Sequence, residues 1–210
     1  MEALEIVRRL RSLADEIEAG KAPPLVAAPT LPPVVATPAS GLAWGARVSP
    51  QFRAFVHQMA EDFAPAQPDW FMACMAFETG RTFSPKVKNP GSSATGLIQF
   101  MEATAAELKT TTRALAAMTA EKQLEYVWLY FRDRIRQRGP ITRLTDCYMA
   151  ILNPVAMGQP DSFAMWVKGS RAYAANAGLD TNKDHQITKA EAGAKVAALL
   201  AEGLRPENVA

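Results

Sequence analysis

DWFMACMAFETG, residues 69–80, predicts a buried helix that begins at Asp69 and stops at Gly80. The uninterrupted apolar run at 70–77 is typical of a helix packed on all sides, and glycine is a common helix stop. Glu78 is the only acid between Asp69 and Glu102. At this end of an apolar helix, partial desolvation and the helix dipole both raise the pKa of a carboxyl group, as a general acid near neutral pH requires. The alternative is a solvated residue at a helix end.

Helical periodicity extends from Val48 nearly to the C-terminus. Further helices are predicted to begin at the capping residues Ser49, Thr119, Thr142 and Thr188. No segment shows a sustained period-two alternation, so any sheet is small. We therefore expect an all-α domain over residues 48–210 with at most a small β element.

Residues 1–20 predict a separate amphipathic helix. Its apolar residues, at spacings of three and four, are Ala3, Ile6, Leu10, Leu13 and Ile17. Two heptads are too short for a stable isolated coiled coil, so this face must dock on something. Packing on the same chain, self-association and docking to a larger assembly through residues 3–17 all stay open.

Residues 21–47 form a Pro/Ala-rich linker in this interpretation, with some docking on the domain left open. Residues 22–46 carry no charge, but their prolines cannot satisfy the backbone of a membrane-spanning helix. We therefore expect no transmembrane segment. The preceding N-terminal residues are charged throughout and lack the apolar core of a signal peptide.

Composition limits the class of protein. Hydrophobic residues make up 49% and charged residues 21% of the 210 residues, enough for a real core. A net charge of +2 is too balanced for a histone-like polycation, so we expect no nucleic-acid partner. The two cysteines, Cys74 and Cys147, are too few for a disulfide framework. Buried thiols are the default interpretation, and a disulfide between their two helices is the alternative.

Two motifs lie on either side of a Gly/Ser-rich loop. Glu78-Thr79-Gly80 precedes the loop, and Gly96-Leu97-Ile98-Gln99 closes it before a helix that starts near Glu102. This arrangement resembles the lysozyme-like soluble lytic transglycosylases and goose-type lysozymes of glycoside hydrolase family 23, especially the versions found in phage endolysins and phage tail proteins. Those families have Glu-Ser at the first motif, where this chain has threonine, and Gly-Leu-Met/Phe-Gln at the second. The resemblance covers about residues 50–175.

The third family motif, Ala-Tyr-Asn-x-Gly, is altered in this chain. The corresponding region contains Tyr148 and Asn153, but no tyrosine directly precedes the asparagine. The resemblance implies that Tyr148 and Asn153 line the sugar groove in shifted positions. It also implies that the loop residues bind sugar hydroxyl and acetamido groups, namely Ser92, Ser93, Gly96, Ile98 and Gln99. A buried Gln99 that only ties the loop backbone together is the alternative.

The scarcity of acids bears on the reaction. Inverting glycosidases need a second carboxylate as base, and retaining enzymes need one as nucleophile, yet residues 79–101 contain no Asp or Glu. The resemblance then implies a lytic transglycosylase: Glu78 protonates the bond between N-acetylmuramic acid and N-acetylglucosamine, then deprotonates the C6 hydroxyl that closes a 1,6-anhydro ring. Two alternatives stay open. One is a hydrolytic muramidase that uses Glu78 with a distant acid such as Asp69, Glu102 or Asp161. The other is a non-catalytic wall-binding or tail protein.

A separate signal near the C-terminus, DTNKDHQITKAE at residues 180–191, fits a twelve-residue EF-hand calcium loop. The predicted structural Ca²⁺ would take its ligands from Asp180, Asn182, Asp184, Gln186 through its carbonyl, and Glu191. His185 occupies the position where glycine normally makes a left-handed turn, at a cost of about 1–2 kcal/mol. Thr188 and Glu191 also predict a capping box for the exit helix.

Together these features predict an enzyme of phage type that degrades bacterial peptidoglycan and needs no cofactor for catalysis. Without a signal peptide, we expect it to be made in the host cytoplasm and to reach the periplasmic cell wall through a holin or as a virion component.

Overall fold

A computed structural model describes residues 41–210. The predicted helix at 1–20 and the linker up to residue 40 lie outside the described residues. The described part is mostly helical, which confirms the expected all-α fold with a small β element. Its helices are α1 (Pro50–Asp62), α2 (Pro68–Glu78), α3 (Glu102–Glu107), α4 (Thr112–Ala117), α5 (Ala120–Arg138), α6 (Leu144–Leu152), α7 (Arg171–Asn176) and α8 (Lys189–Gly203).

Helix α2 lies at the centre of the core and packs against α1, α6 and α8. Its residues 71–76 are all buried, as the uninterrupted apolar run predicts. A buried ion pair between Lys189 of α8 and Asp146 of α6 adds a charged contact between these two helices. Helix α2 therefore carries Glu78 on a rigid, fully packed element.

Side-chain caps define several helix starts. Ser49, Thr119 and Thr188 each accept a hydrogen bond from a first-turn backbone amide. Thr188 and Glu191 form the reciprocal capping box that the sequence predicts. Helix α6 begins at Leu144, two residues later than expected from Thr142.

A two-stranded antiparallel sheet is the β element of the described region. Strand β1 (Ala164–Val167) pairs with β2 (Gln186–Thr188). Strand β2 lies within the predicted calcium loop and leads directly into α8. The sheet therefore fixes where that loop meets the helical core.

Residues 41–47 differ from the expected linker because they are packed into the domain. Leu42, Ala43 and Trp44 are buried, and the Trp44 indole donates a hydrogen bond to the Leu199 carbonyl over 2.9 Å. The Leu42 amide also bonds the carbonyl of Ala210. The aromatic ring of Trp44 provides much of the apolar area that holds these residues in place.

Within residues 41–210, no helix is long and apolar enough to cross a membrane.

Candidate active site

Glu78 is the last residue of α2 and is partly buried. Burial raises the pKa of its carboxyl group from 4.5 to about 7. No group within residues 41–210 forms a hydrogen bond or ion pair with this carboxyl, so nothing there stabilises the ionised form directly. The pKa is in the range that allows one group to give up a proton and take one back near neutral pH.

Besides burial, the charge of Glu78 raises the pKa of two tyrosines on other helices. Burial is the main cause that raises the pKa of both Tyr130 and Tyr148, and the Glu78 charge raises both further. The Tyr130 hydroxyl donates to the Ala150 carbonyl over 2.7 Å, which joins α5 to α6. The Glu78 charge therefore acts on side chains of both α5 and α6.

The turn after Glu78 is held by a buried threonine. The Thr79 hydroxyl donates to the Met75 carbonyl over 2.6 Å and accepts from the Phe83 amide over 3.0 Å. Arg81 then forms a bidentate ion pair with Glu202 of α8, at 2.7 and 2.8 Å. Threonine thus performs a structural task at this position, which explains why a hydroxyl residue follows the acid.

A buried glutamine that the sequence analysis missed organises the Gly/Ser-rich loop. The Gln123 side chain of α5 accepts from the Leu97 amide over 2.6 Å and donates to the Leu115 and Pro85 carbonyls. Gly96 has φ 82°, and a Cβ there would lie 2.3 Å from the Gln123 Oε1. The glycine is required by both its backbone conformation and this close approach. Nothing in the local sequence around residue 123 indicates this contact.

The end of the loop is brought toward Glu78 by ring packing. Phe100 packs edge-on against Tyr130, with ring centroids 6.1 Å apart. The loop also closes on itself through paired hydrogen bonds between Thr95 and Phe100. The loop therefore contacts, through Phe100, a tyrosine whose pKa burial and the Glu78 charge raise.

The predicted loop ligands are already engaged with the loop backbone. Gln99 donates through Nε2 to the Gly96 carbonyl over 3.0 Å and, more weakly, to that of Val87 at 3.4 Å. The hydroxyls of Ser92 and Ser93 accept from the amides of Ala94 and Glu102. Ser92 is exposed, while Ser93 and Gln99 are partly buried. Backbone tying is therefore what Gln99 does in this structure, and its saccharide contact stays a prediction.

Three other residues that the sequence predicts as sugar ligands are buried. Gly96 and Ile98 are buried within the loop, and Tyr148 is 2% exposed and packs edge-on against Phe77 at 5.4 Å. None of the three is exposed to solvent in this structure, and their contact with a sugar stays a prediction. Asn153 ends α6 and is partly buried, so it is the third-motif residue that keeps a partly open side chain.

The distant acids that could assist Glu78 are occupied elsewhere. Asp69 is at the opposite end of α2, about 13 Å away along the axis, and accepts from the Ala43 amide. Glu102 accepts from Thr112, and Asp161 is near Arg143 at 3.5 Å. None of the three charges contributes to the raised pKa of Glu78, whose cause is burial.

The two cysteines face each other directly below the site. Their Sγ atoms are 3.8 Å apart, and both thiols are free and buried. Cys74 lies one helical turn before Glu78, on the same face of α2. Burial is the main cause that raises the pKa of the Cys74 thiol, and Cys147 and the Glu78 charge raise it further.

The predicted calcium loop has the backbone shape that its sequence requires. His185 has φ 71°, which confirms the expected left-handed turn at that position. Asp180 Oδ2 accepts from the His185 amide over 3.1 Å and from the Tyr173 hydroxyl over 2.6 Å. The carboxylate of Glu191 accepts from the Thr188 and Thr181 amides.

The loop residues fit a hard cation chemically. Asp180 Oδ1 is buried and has no hydrogen-bond partner in the described part of the chain, so one acceptor is unsatisfied. The hydrogen bond to Asp180 is the main cause that raises the pKa of Tyr173. Smaller increases come from the charges of Asp180, Asp184 and Glu191. Among residues 41–210 no three His, Cys, Asp or Glu side chains are already arranged to hold a metal ion, so the calcium site stays a prediction.

In comparisons with known proteins, no family model, no curated protein and no solved structure matches the chain. The chemistry of the site therefore follows from its own residues.

Proposed function

We propose that the chain is a peptidoglycan lytic transglycosylase in which Glu78 is the only catalytic carboxyl group. The observation that carries this proposal is a carboxyl group with a pKa of about 7 and no second carboxylate paired with it in the described region. A glycosidase with two carboxylates would keep the other one about 5–9 Å away. Burial is the cause of the raised pKa of Glu78, with no charge of a second carboxylate acting on it, and Asp69, Glu102 and Asp161 each have a partner elsewhere in the fold.

A single carboxyl group suits an internal acceptor. Protonated Glu78 would donate its proton to the oxygen that links N-acetylmuramic acid to N-acetylglucosamine, and the bond to C1 would break. The acetamido group of the muramoyl residue would support the positive charge at C1. Ionised Glu78 would then remove the proton of the C6 hydroxyl, whose oxygen closes on C1. The carboxyl group ends the cycle protonated, so no water and no second acid are consumed.

The loop and the end of α6 are the surfaces best placed to hold the glycan. Ser92 is exposed and Asn153 is partly open, and both side chains offer donors and acceptors for sugar hydroxyl and acetamido groups. Gln99 retains its amide oxygen as an acceptor. Gly96 and Ile98 would act by setting the path of the loop backbone.

The first test is the release of soluble fragments from purified peptidoglycan. We expect wild-type protein to release them and Glu78→Gln to lose at least 100-fold in rate, the lower end of what a general acid contributes. Glu61→Gln is the matched control because Glu61 is an exposed acid on α1, remote from the core. Equal release by Glu78→Gln and wild type would contradict the proposal.

Two other functions make different predictions in the same assay. A hydrolytic muramidase would release fragments with reducing muramic acid ends and would also depend on Glu78. A non-catalytic wall-binding or tail protein would release nothing while still sedimenting with peptidoglycan. The perturbed pKa of Glu78 favours an enzyme over the binding protein.

We also propose that the loop at 180–191 binds a structural Ca²⁺. Asp180, Asn182, Asp184 and Glu191 would supply side-chain oxygens, and Gln186 its carbonyl. The unsatisfied Asp180 Oδ1 supports this assignment. The ion would supply charge neutralisation where the loop joins α8 and would take no part in catalysis.

Thermal unfolding in excess calcium and in excess chelator tests the calcium site. We expect calcium to raise the melting temperature, and Asp180→Ala to abolish the difference. Glu207→Gln, an exposed acid outside the loop, should keep it. Equal melting temperatures of the wild-type protein in calcium and in chelator would rule the site out.

The proposed substrate implies where the protein acts. A peptidoglycan transglycosylase must reach the periplasmic cell wall, and release through a holin or delivery as a virion component are the two routes consistent with a phage-type enzyme. Fractionation of infected cells and of purified virions would separate them. Docking through residues 3–17 belongs to the same proposal.

A further inference from the structure

Cys74 and Cys147 are set on two different helices and meet in the core. Their Sγ atoms are 3.8 Å apart, α2 packs directly against α6, and both thiols are 0% exposed. A disulfide bond needs about 2.05 Å between the sulfurs, so each sulfur has to move by less than about 1 Å toward the other. The chain has no other cysteine, so no competing pairing within one molecule exists.

We propose that Cys74 and Cys147 form a cross-linking pair that closes to a disulfide between α2 and α6 when the chain folds in the presence of a small-molecule disulfide. The cross-link joins α2 to α6. Cys74 lies one helical turn before Glu78 on α2, and Cys147 directly precedes Tyr148 on α6. This inference does not rest on the proposed enzymatic function.

The reaction is a two-step thiol–disulfide exchange. One cysteine thiolate attacks the small disulfide, forms a mixed disulfide and releases one small thiol. The second cysteine thiolate attacks the protein sulfur of that mixed disulfide, forms the Cys74–Cys147 bond and releases the second small thiol. The protein loses two hydrogens, and the small disulfide takes up the two electrons and two protons.

Burial determines when the exchange can happen. Both sulfurs are closed off from solvent in the native fold, and burial raises the pKa of the Cys74 thiol, which lowers its thiolate fraction. The native reduced protein should therefore react slowly with an alkylating reagent. The cross-link should form during folding, before the core closes over the sulfurs.

Refolding of the full chain in oxidised and reduced glutathione tests the proposal. The refolded protein is denatured in excess N-ethylmaleimide, and its intact mass is measured. We expect no maleimide adduct and a mass lower by two hydrogens, with two adducts appearing after reduction. Two adducts without reduction, or a retained glutathione adduct, would overturn the proposal.

Two further measurements keep the result interpretable. Cys147→Ser, reduced before it is denatured in N-ethylmaleimide, must carry one adduct, which shows that the labelling is complete. The oxidised wild type should melt about 5–10 °C higher than the reduced protein, because the cross-link closes a long loop in the unfolded chain. An oxidised form that melts lower would mean that the bond distorts the packed helices, which would equally overturn the proposal.

Discussion

The chemistry of the site depends on a single side chain in an unfavourable environment. Glu78 has a pKa of about 7 because burial disfavours its ionised form, and no described residue compensates by donating a hydrogen bond to it. A group that is costly to ionise is retained at active sites because function requires it. The sequence alone predicts the direction of this shift from the apolar helix and its single acid. It cannot predict the closeness of Tyr130 and Tyr148, which come from other helices.

The same environment predicts a pH-dependent gain in stability on substitution of Glu78. The folded-state pKa of about 7 exceeds the ordinary value of 4.5, so the stability that protonation provides is complete below about pH 4.5 and is lost as the pH rises through 7. Glu78→Gln cannot ionise, so it should be more stable than wild type at pH 8, by about 1–3 kcal/mol. The difference should shrink toward zero at pH 4.5. Urea unfolding at both pH values measures it, and a variant less stable than wild type at pH 8 would contradict the assignment.

Among the elements, the capped helices and the helix near Glu102 were predictable, and two other short helices were not. Helices α1, α2, α5 and α8 begin at or next to the residues expected from their caps. Helices α4 and α7, of six residues each, carry too few periodic positions to be recognised. The loop motif Gly96–Gln99 was recognised from its residues, but its support by Gln123 was not, because that contact joins positions far apart in the chain.

The contact between Gln123 and the loop predicts different stabilities for alanine variants of two glycines in that loop. Gly96→Ala places a Cβ 2.3 Å from the Gln123 side chain at a φ of 82°, and should destabilise the protein by about 1–3 kcal/mol. Gly91→Ala meets nothing closer than 3.5 Å and should stay within about 0.5 kcal/mol of wild type. Denaturant titration of both variants compares them. Equal stabilities would mean that Gln123 does not fix the loop.

At the scale of the whole molecule, the two ends of the described chain are joined on one side of the core. The Leu42 amide bonds the carbonyl of Ala210, and Trp44 packs beneath α8. The composition of residues 21–47 indicates a linker, and tertiary packing overrides that tendency for the last seven of them. The partners of residues 41–47, on α8, at Asp69 and at Asn208, are distant in the chain, so the local sequence does not predict this packing.

Trp44 should therefore contribute to stability like a core residue. We expect Trp44→Ala to cost about 3–5 kcal/mol of unfolding free energy, through lost burial and a cavity. Trp44→Phe keeps most of the apolar area but loses the bond to the Leu199 carbonyl, and should cost about 1–2 kcal/mol. Denaturant titration distinguishes the two. A Trp44→Ala variant as stable as wild type would show that residues 41–47 are a linker after all.

The most direct test of the central claim is the oxygen balance of the reaction. Purified peptidoglycan is digested in water labelled with the heavy oxygen isotope, and the soluble fragments are analysed by mass spectrometry. If Glu78 works alone with the C6 hydroxyl as acceptor, the fragments end in 1,6-anhydro-muramic acid and contain no heavy oxygen from the cleavage. Fragments with reducing ends that carry one heavy oxygen each would show that water is the acceptor, and would contradict the claim of a transglycosylase.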